Sequence, residues 1–201
     1  MVSSLGQMQH TQLNLQNVTS LVVDSDRFSR GIISQILRSF RMFPSALADN
    51  GAQAKAYLES NSADLCIIEA MLPDMESTEL ISWIRKQDGP IRFVPIIVLT
   101  GYTQLKMVSR ARDAGANTVL KKPVSPRVLF DRILWLSKAD RPFMETNEYV
   151  GPDRRFKRIG PPDGDFKREV EGDRNIDLGI ANDGGAKGLR TQPVSKLLGA
   201  K

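Results

Sequence analysis

The sequence predicts an α/β fold: a doubly wound, five-stranded parallel sheet with helices on both faces and a mostly disordered C-terminal extension. Two observations predict it. Between residues 19 and 138, short apolar runs of strand length alternate five times with segments whose apolar residues recur at helical spacing. Such alternation argues for βα units feeding one parallel sheet. After Ala139 the texture changes: residues 139–201 hold 9 of the 15 glycines and no long periodic apolar run. That composition buries too little apolar surface to offset the entropy of ordering the chain.

Each element follows in order. Residues 1–18 are polar and unpatterned and read as a flexible N-terminal arm. SLVV (20–23) is a short apolar strand, and Phe28, Ile32, Ile33, Ile36, Leu37 and Phe40 follow at helical spacing. Residues 43–48 read as a second strand and 51–59 as a second helix. The run LCIIE (65–69) gives a third strand, and Leu80, Ile81 and Ile84 mark a third helix. VPIIVLT (94–100), rich in β-branched residues, is the clearest strand. A helix over 105–114 is closed by Gly115. Residues 117–120 form a short strand, and Val128, Leu129, Ile133, Leu134 and Leu136 mark a last amphipathic helix. The domains are then the arm 1–18, a folded domain 19–138, and a Gly/Pro-rich, locally basic tail 139–201.

Composition narrows the function class. A hydrophobic share of 41% supports a real core, and a net charge of +5 is too mild to mark a nucleic-acid binder by itself. No apolar run approaches the ~20 residues of a membrane helix, and the N-terminus lacks a signal-peptide core. The single cysteine, Cys66, lies in an apolar run and reads as a small buried hydrophobe. The expectation is a cytoplasmic, reducing protein without a membrane span.

In an open parallel sheet, ligands bind at the carboxyl ends of the strands. The first strand ends at Asp24-Ser25-Asp26, the third at Glu69, the fourth at Thr100-Gly101 and the fifth at Lys121-Lys122-Pro123. Acids, a hydroxyl and a lysine converge on one rim. Carboxylates there hold a divalent cation, a lysine neutralises phosphoryl oxygens and a hydroxyl donates a hydrogen bond.

This order and spacing resembles the receiver domain of bacterial two-component response regulators, over roughly residues 18–138. The resemblance implies a flavodoxin-like receiver fold and a phosphorelay signalling role. It places the phosphoacceptor position on Glu69, the pocket on Asp24, Ser25, Thr100, Lys122 and Pro123, and a Mg²⁺ site on Asp24, Glu69 and Met71. It also implies that the lysine and proline are joined by a cis bond. The departures are specific: Ser25 stands where a second acid is expected, and Glu69 replaces the acceptor aspartate. Val119 stands at the aromatic switch position, and Ser77 replaces a loop glycine. Glutamate is longer than aspartate by one C–C bond, about 1.5 Å, and in-line transfer tolerates only a fraction of that misplacement. Loss of the second acid weakens a Mg²⁺ site that demands near-octahedral oxygen geometry. The expectation is a degenerate, non-enzymatic receiver that is not phosphorylated in the usual way. It acts by docking to a histidine kinase or a downstream signalling protein, with no cofactor required and Mg²⁺ at most weakly held. The family's docking surface falls around residues 102–107, Val119 and residues 127–131.

Rival readings stay open here. Glu69 is also readable as an acid paired with Lys122 without signalling output. Asp24-Ser25-Asp26 also resembles the start of haloacid-dehalogenase-like phosphatases, with Asp24 as nucleophile and Asp26 as general acid, although no later acidic strand end completes that motif. Asp26 as a helix cap is the plainer alternative. Asp64 and Asp74 read as solvated loop acids, His10 as a solvated arm residue, and Trp83 and Trp135 as packing residues. In the tail, Arg154, Arg155, Lys157 and Arg158 surround Phe156. Basic residues interleaved with an aromatic suit an anionic ligand. Arg154 and Arg158 are similar to half of the PilZ cyclic-di-GMP signature, whose other half is absent. A cyclic-dinucleotide-binding adaptor, a contact with an acidic protein surface and a solvated linker are the readings of this segment, and the run YVGPDRR (149–155) also looks like a GPDRR-type tail attached to some bacterial orphan receivers. DNA binding is disfavoured, since one short cluster neutralises few phosphates.

Overall fold

The computed structural model describes residues 15–101, 105–138, 142–146 and 149–153. Its element order is β1 (Ser20–Val23), α1 (Arg27–Ser39), β2 (Pro44–Ala48), α2 (Gly51–Ser60), β3 (Leu65–Glu69), α3 (Ser77–Arg85), a 3-10 turn (Pro90–Phe93), β4 (Ile96–Thr100), α4 (Leu105–Asp113), β5 (Thr118–Lys121), α5 (Pro126–Lys138), β6 (Phe143–Glu145) and β7 (Val150–Pro152). The first five strands form a parallel sheet in the order β2-β1-β3-β4-β5. This is the doubly wound, flavodoxin-like architecture expected, with the chain reversing direction across the sheet between β1 and β3.

Because successive strand residues point to opposite faces, each central strand feeds two cores. Val22, Leu65, Ile67, Ile97, Leu99 and Leu120 face α1 and α5, where Ile33, Ile36, Leu37, Leu129, Ile133 and Leu136 meet them. Leu21, Val23, Cys66, Ile68, Ile96 and Val98 face the other way, against Leu58 of α2 and Leu80, Ile81 and Ile84 of α3. Cys66 is buried as expected, and burial pushes its thiol up to about 12, which leaves it protonated and inert. Trp83 and Trp135 both pack against these cores.

Local chemistry sets the element ends. Asp26 caps α1, its carboxylate accepting from the Phe28 and Ser29 amides. Met42 N–H returns to Leu37 O and Arg41 N–H to Arg38 O, so α1 ends in a Schellman motif with Arg41 in the left-handed region at φ 60°.

Four expectations need correction or completion. The arm is not wholly outside the fold: Leu15 and Val18 are buried in the α1–α5 core, because they supply apolar side chains at the foot of β1. Asp64 is not a solvated acid; it accepts from the Thr19 amide and hydroxyl at 2.8 and 2.6 Å. Asp74 is an exposed loop acid as expected, but the expectation is incomplete: it accepts from the Gly51 and Ala52 amides, both at 2.8 Å, and so caps α2 from a distant loop. Part of the 139–201 segment is built into the structure, since β6 and β7 pair antiparallel, with Phe143 opposite Pro152 and Met144 opposite Gly151. Phe143 is buried, and that apolar contact offsets the ordering entropy that composition alone suggested was unmet.

Candidate functional site

β1, β3, β4 and β5 deliver their last residues to one rim, and the structure brings four of the anticipated side chains there. Asp24, at the end of β1, is almost fully buried. Its Oδ1 accepts from the Asp26 amide at 2.9 Å, and its Oδ2 accepts from Ser29 Oγ and Lys122 Nζ, each at 2.6 Å. The Arg30 guanidinium donates to the Asp24 carbonyl. Glu69, the last residue of β3, forms an ion pair with the same Lys122 ammonium, and its Oε1 accepts from the Ala70 amide at 3.0 Å. Thr100 ends β4, buried, and its carbonyl accepts from the Lys122 amide at 2.7 Å. The Lys122–Pro123 bond is cis, which turns the chain at the end of β5.

Lys122 is thus the hub. Burial opposes its charge, but the hydrogen bonds and attraction of Asp24 and Glu69 outweigh burial and hold its pKa above the ordinary lysine value. Beside this triad, Ala70, Ser77, Thr78, Thr100, Met107 and Val119 line a shallow cleft between α3 and α4. Glu76, the N-cap residue of α3, pairs with Arg110 of α4 and bridges that cleft.

The remaining anticipated residues fall elsewhere. Ser25 is exposed. Met71 is 44% exposed and makes an isolated antiparallel bridge with Glu76. Asp26 spends its carboxylate on the α1 amides, so it is not positioned as a general acid and the phosphatase reading loses its second residue. Residues 102–104 of the anticipated docking surface, His10, and Arg154, Arg155, Lys157 and Arg158 lie outside the described residues. Sequence reasoning missed Ser29 and Arg30, which fix Asp24. The available signal was their place on the first turn of the helix that directly follows the strand-end acid.

The Mg²⁺ implied by the resemblance does not suit the residues present. Both carboxylates are turned to one ammonium, Asp24 also holds an amide and a hydroxyl, and the second acid is a serine. Among the described residues no group of three or more His, Cys, Asp or Glu side chains is arranged around a metal position.

A five-stranded parallel sheet in this order, with acids and a lysine at its carboxyl rim, defines a receiver-type α/β domain. Residues 20–134 match the family described as the response regulator receiver domain. The chain belongs to that family. It is 28% identical over 113 residues to the chemotaxis protein CheY of Pseudomonas aeruginosa, a match covering 56% of this chain and 90% of that protein. It is 30% identical over 113 residues to the DNA-binding response regulator MtrA of Mycolicibacterium paratuberculosis, covering 56% of this chain and 48% of MtrA. Among solved structures, a CheY-like receiver domain protein of Methanospirillum hungatei superposes with a TM-score of 0.53 at 30% identity, covering 58% of this chain and 90% of that one. CheY4 of Vibrio cholerae superposes with a TM-score of 0.54 at 26% identity, covering 58% and 96%. Among the described residues no helix is long and apolar enough to cross a membrane.

Proposed function

We propose that this receiver takes no phosphoryl group at Glu69 and signals by docking to a protein partner, either a histidine kinase or a downstream signalling protein. One observation carries the reading: the Lys122 ammonium is shared between Asp24 and Glu69. The glutamate's extra reach supplies a negative charge to the lysine that a phosphoryl group would otherwise engage, so the rim satisfies its own charges without a ligand. The longer side chain misplaces an attacking oxygen, and Ser25 withholds the second metal carboxylate. Docking falls to the surface anticipated around residues 102–107, Val119 and residues 127–131.

The test is incubation with acetyl phosphate and Mg²⁺ followed by intact and peptide mass spectrometry. The expected result is no phosphoryl gain at Glu69 in the natural chain, and a gain in the double variant Glu69→Asp, Ser25→Asp. A stoichiometric acyl phosphate on Glu69 of the natural chain would overturn the reading.

A further inference from the structure

The base of the sheet, at the opposite pole from Glu69, carries a second network. Arg85, the last residue of α3, is 2% exposed. All five of its N–H groups are used. Nε donates to Gly115 O at 3.1 Å, Nη1 to Arg92 O at 2.7 Å and Val94 O at 2.9 Å, and Nη2 to Gly115 O at 2.9 Å and Asn117 Oδ1 at 3.2 Å. Asn117 Oδ1 also accepts from the Ile96 amide. One guanidinium therefore joins the end of α3, the 3-10 turn, the start of β4 and the turn between α4 and β5.

The β6–β7 ribbon closes over it. The Phe143 ring lies 5.1 Å from the Arg85 guanidinium and meets Phe93 edge-on at 5.4 Å. Arg92 pairs with Glu145 at 2.7 Å. Asp153 N–H donates to Pro142 O at 2.8 Å and ties off the ribbon. Two glycines seat it. Gly115 has φ +107°, and a Cβ there would stand 2.8 Å from Val150 O. A Cβ on Gly151 would stand 2.9 Å from Gly115 Cα and 2.5 Å from Tyr149 Oη. The ribbon and the α4–β5 turn thus meet backbone to backbone, an approach that only glycine permits.

α4 therefore lies between two ties, Arg110 on Glu76 from the helix itself and, in the turn that follows its end at Asp113, Gly115 under the ribbon at the base. We infer that the β6–β7 ribbon is an intramolecular strap that sets the position of α4 from the C-terminal side of the chain, and that its docking or release is a control input to the α4 surface. The regulatory sense of the strap rests on the rim being unreactive; its grip on α4 does not.

Amide hydrogen exchange of the full chain tests this, comparing the natural protein with Gly151→Val, the milder Gly151→Ala, and Phe143→Ala. The expected result is exchange faster by at least about tenfold in peptides spanning residues 105–117. Protection in β1 and β3 should be unchanged, and Gly151→Ala should show an intermediate effect. Exchange in 105–117 that stays at the natural rate while residues 143–152 lose protection would overturn the inference, because the ribbon would then be a passenger. An equal loss of protection in β1 and β3 would also overturn it, because the ribbon would then be ordinary core. A phosphoryl group found on Glu69 would remove the proposed function and leave the exchange result standing.

Discussion

The two poles of the sheet handle buried charge in opposite ways. At the rim, one ammonium is shared by two carboxylates, and Lys122 keeps 22% of its side chain exposed. At the base, one guanidinium is buried and meets carbonyl oxygens and an aromatic ring. Burial brings Arg85 down to about 10, still charged at neutral pH. At the rim the cation itself pairs with two side chains, and these partners can rearrange toward water when it is lost. The base pairs a side chain with backbone that is fixed by four elements, and those carbonyls have nowhere to turn. The poles should therefore differ in cost: the base governs stability and the rim governs chemistry.

The largest effect is expected at Arg85. Arg85→Met removes five hydrogen bonds and leaves the oxygens of Gly115, Arg92 and Val94 without that donor, while Asn117 Oδ1 keeps the Ile96 amide. With each orphaned acceptor costing about 1–3 kcal/mol, the variant should lose at least about 3 kcal/mol, or about 10 °C in Tm. Arg85→Lys should recover little, since an ammonium has three donors and no planar fork. Thermal unfolding by circular dichroism checks this; a lysine variant as stable as the natural protein would show that the charge, not the fork, is what the base requires.

Lys122→Met should cost less, about 1–2 kcal/mol, because breaking a buried ion pair is costly but this lysine is partly solvated. Its pH dependence sharpens the contrast. The folded pKa of Lys122 lies above its ordinary value of 10.5. Its stabilisation is thus fully present below 10.5 and is lost as pH rises through the folded value. Urea midpoints of natural and Lys122→Met proteins should converge in that alkaline window and stay apart at neutral pH. A gap that persists unchanged would mean the lysine stabilises by packing alone. At the rim the separate question is chemical, and the acetyl phosphate experiment addresses it.

The same contrast explains what the sequence made legible. The rim could be read because its residues are side chains of distinctive type at the ends of apolar strands, so Asp24, Glu69, Thr100 and Lys122 announce themselves by order alone. The base could not. Arg85 looks like any basic residue in a last helical turn, and all its partners but Asn117 Oδ1 are backbone carbonyls, which every residue carries. Gly115 reads as a helix stop, and Gly151 is one glycine among many in a polar tail. Phe143 lies outside any periodic run, so nothing local shows that it is buried. The capping role of Asp74 was missed for a related reason: its amide partners lie 23 and 22 residues away, at the start of α2.

Asp74 provides the smallest and most local test. It stands between the poles in kind, a side chain paired with backbone like Arg85, but at an exposed position on the rim side. The Gly51 amide, more than any other contact, holds its pKa below the ordinary 3.8. Asn50 already caps the same helix through Gln53 N at 2.8 Å, so one turn of α2 has two caps and losing either should cost less than losing Arg85 or Lys122. The sign is that of a depressed carboxylate: the stabilisation is present above 3.8 and is lost as pH falls through the lower folded value. Asp74→Asn should therefore lower the urea midpoint slightly at neutral pH and draw level with the natural protein under strongly acidic conditions. A difference that held its size across that range would show that the hydrogen bonds matter and the charge does not. An effect as large as that of Arg85→Met would break the comparison, because backbone pairing would then be decisive even where water has access.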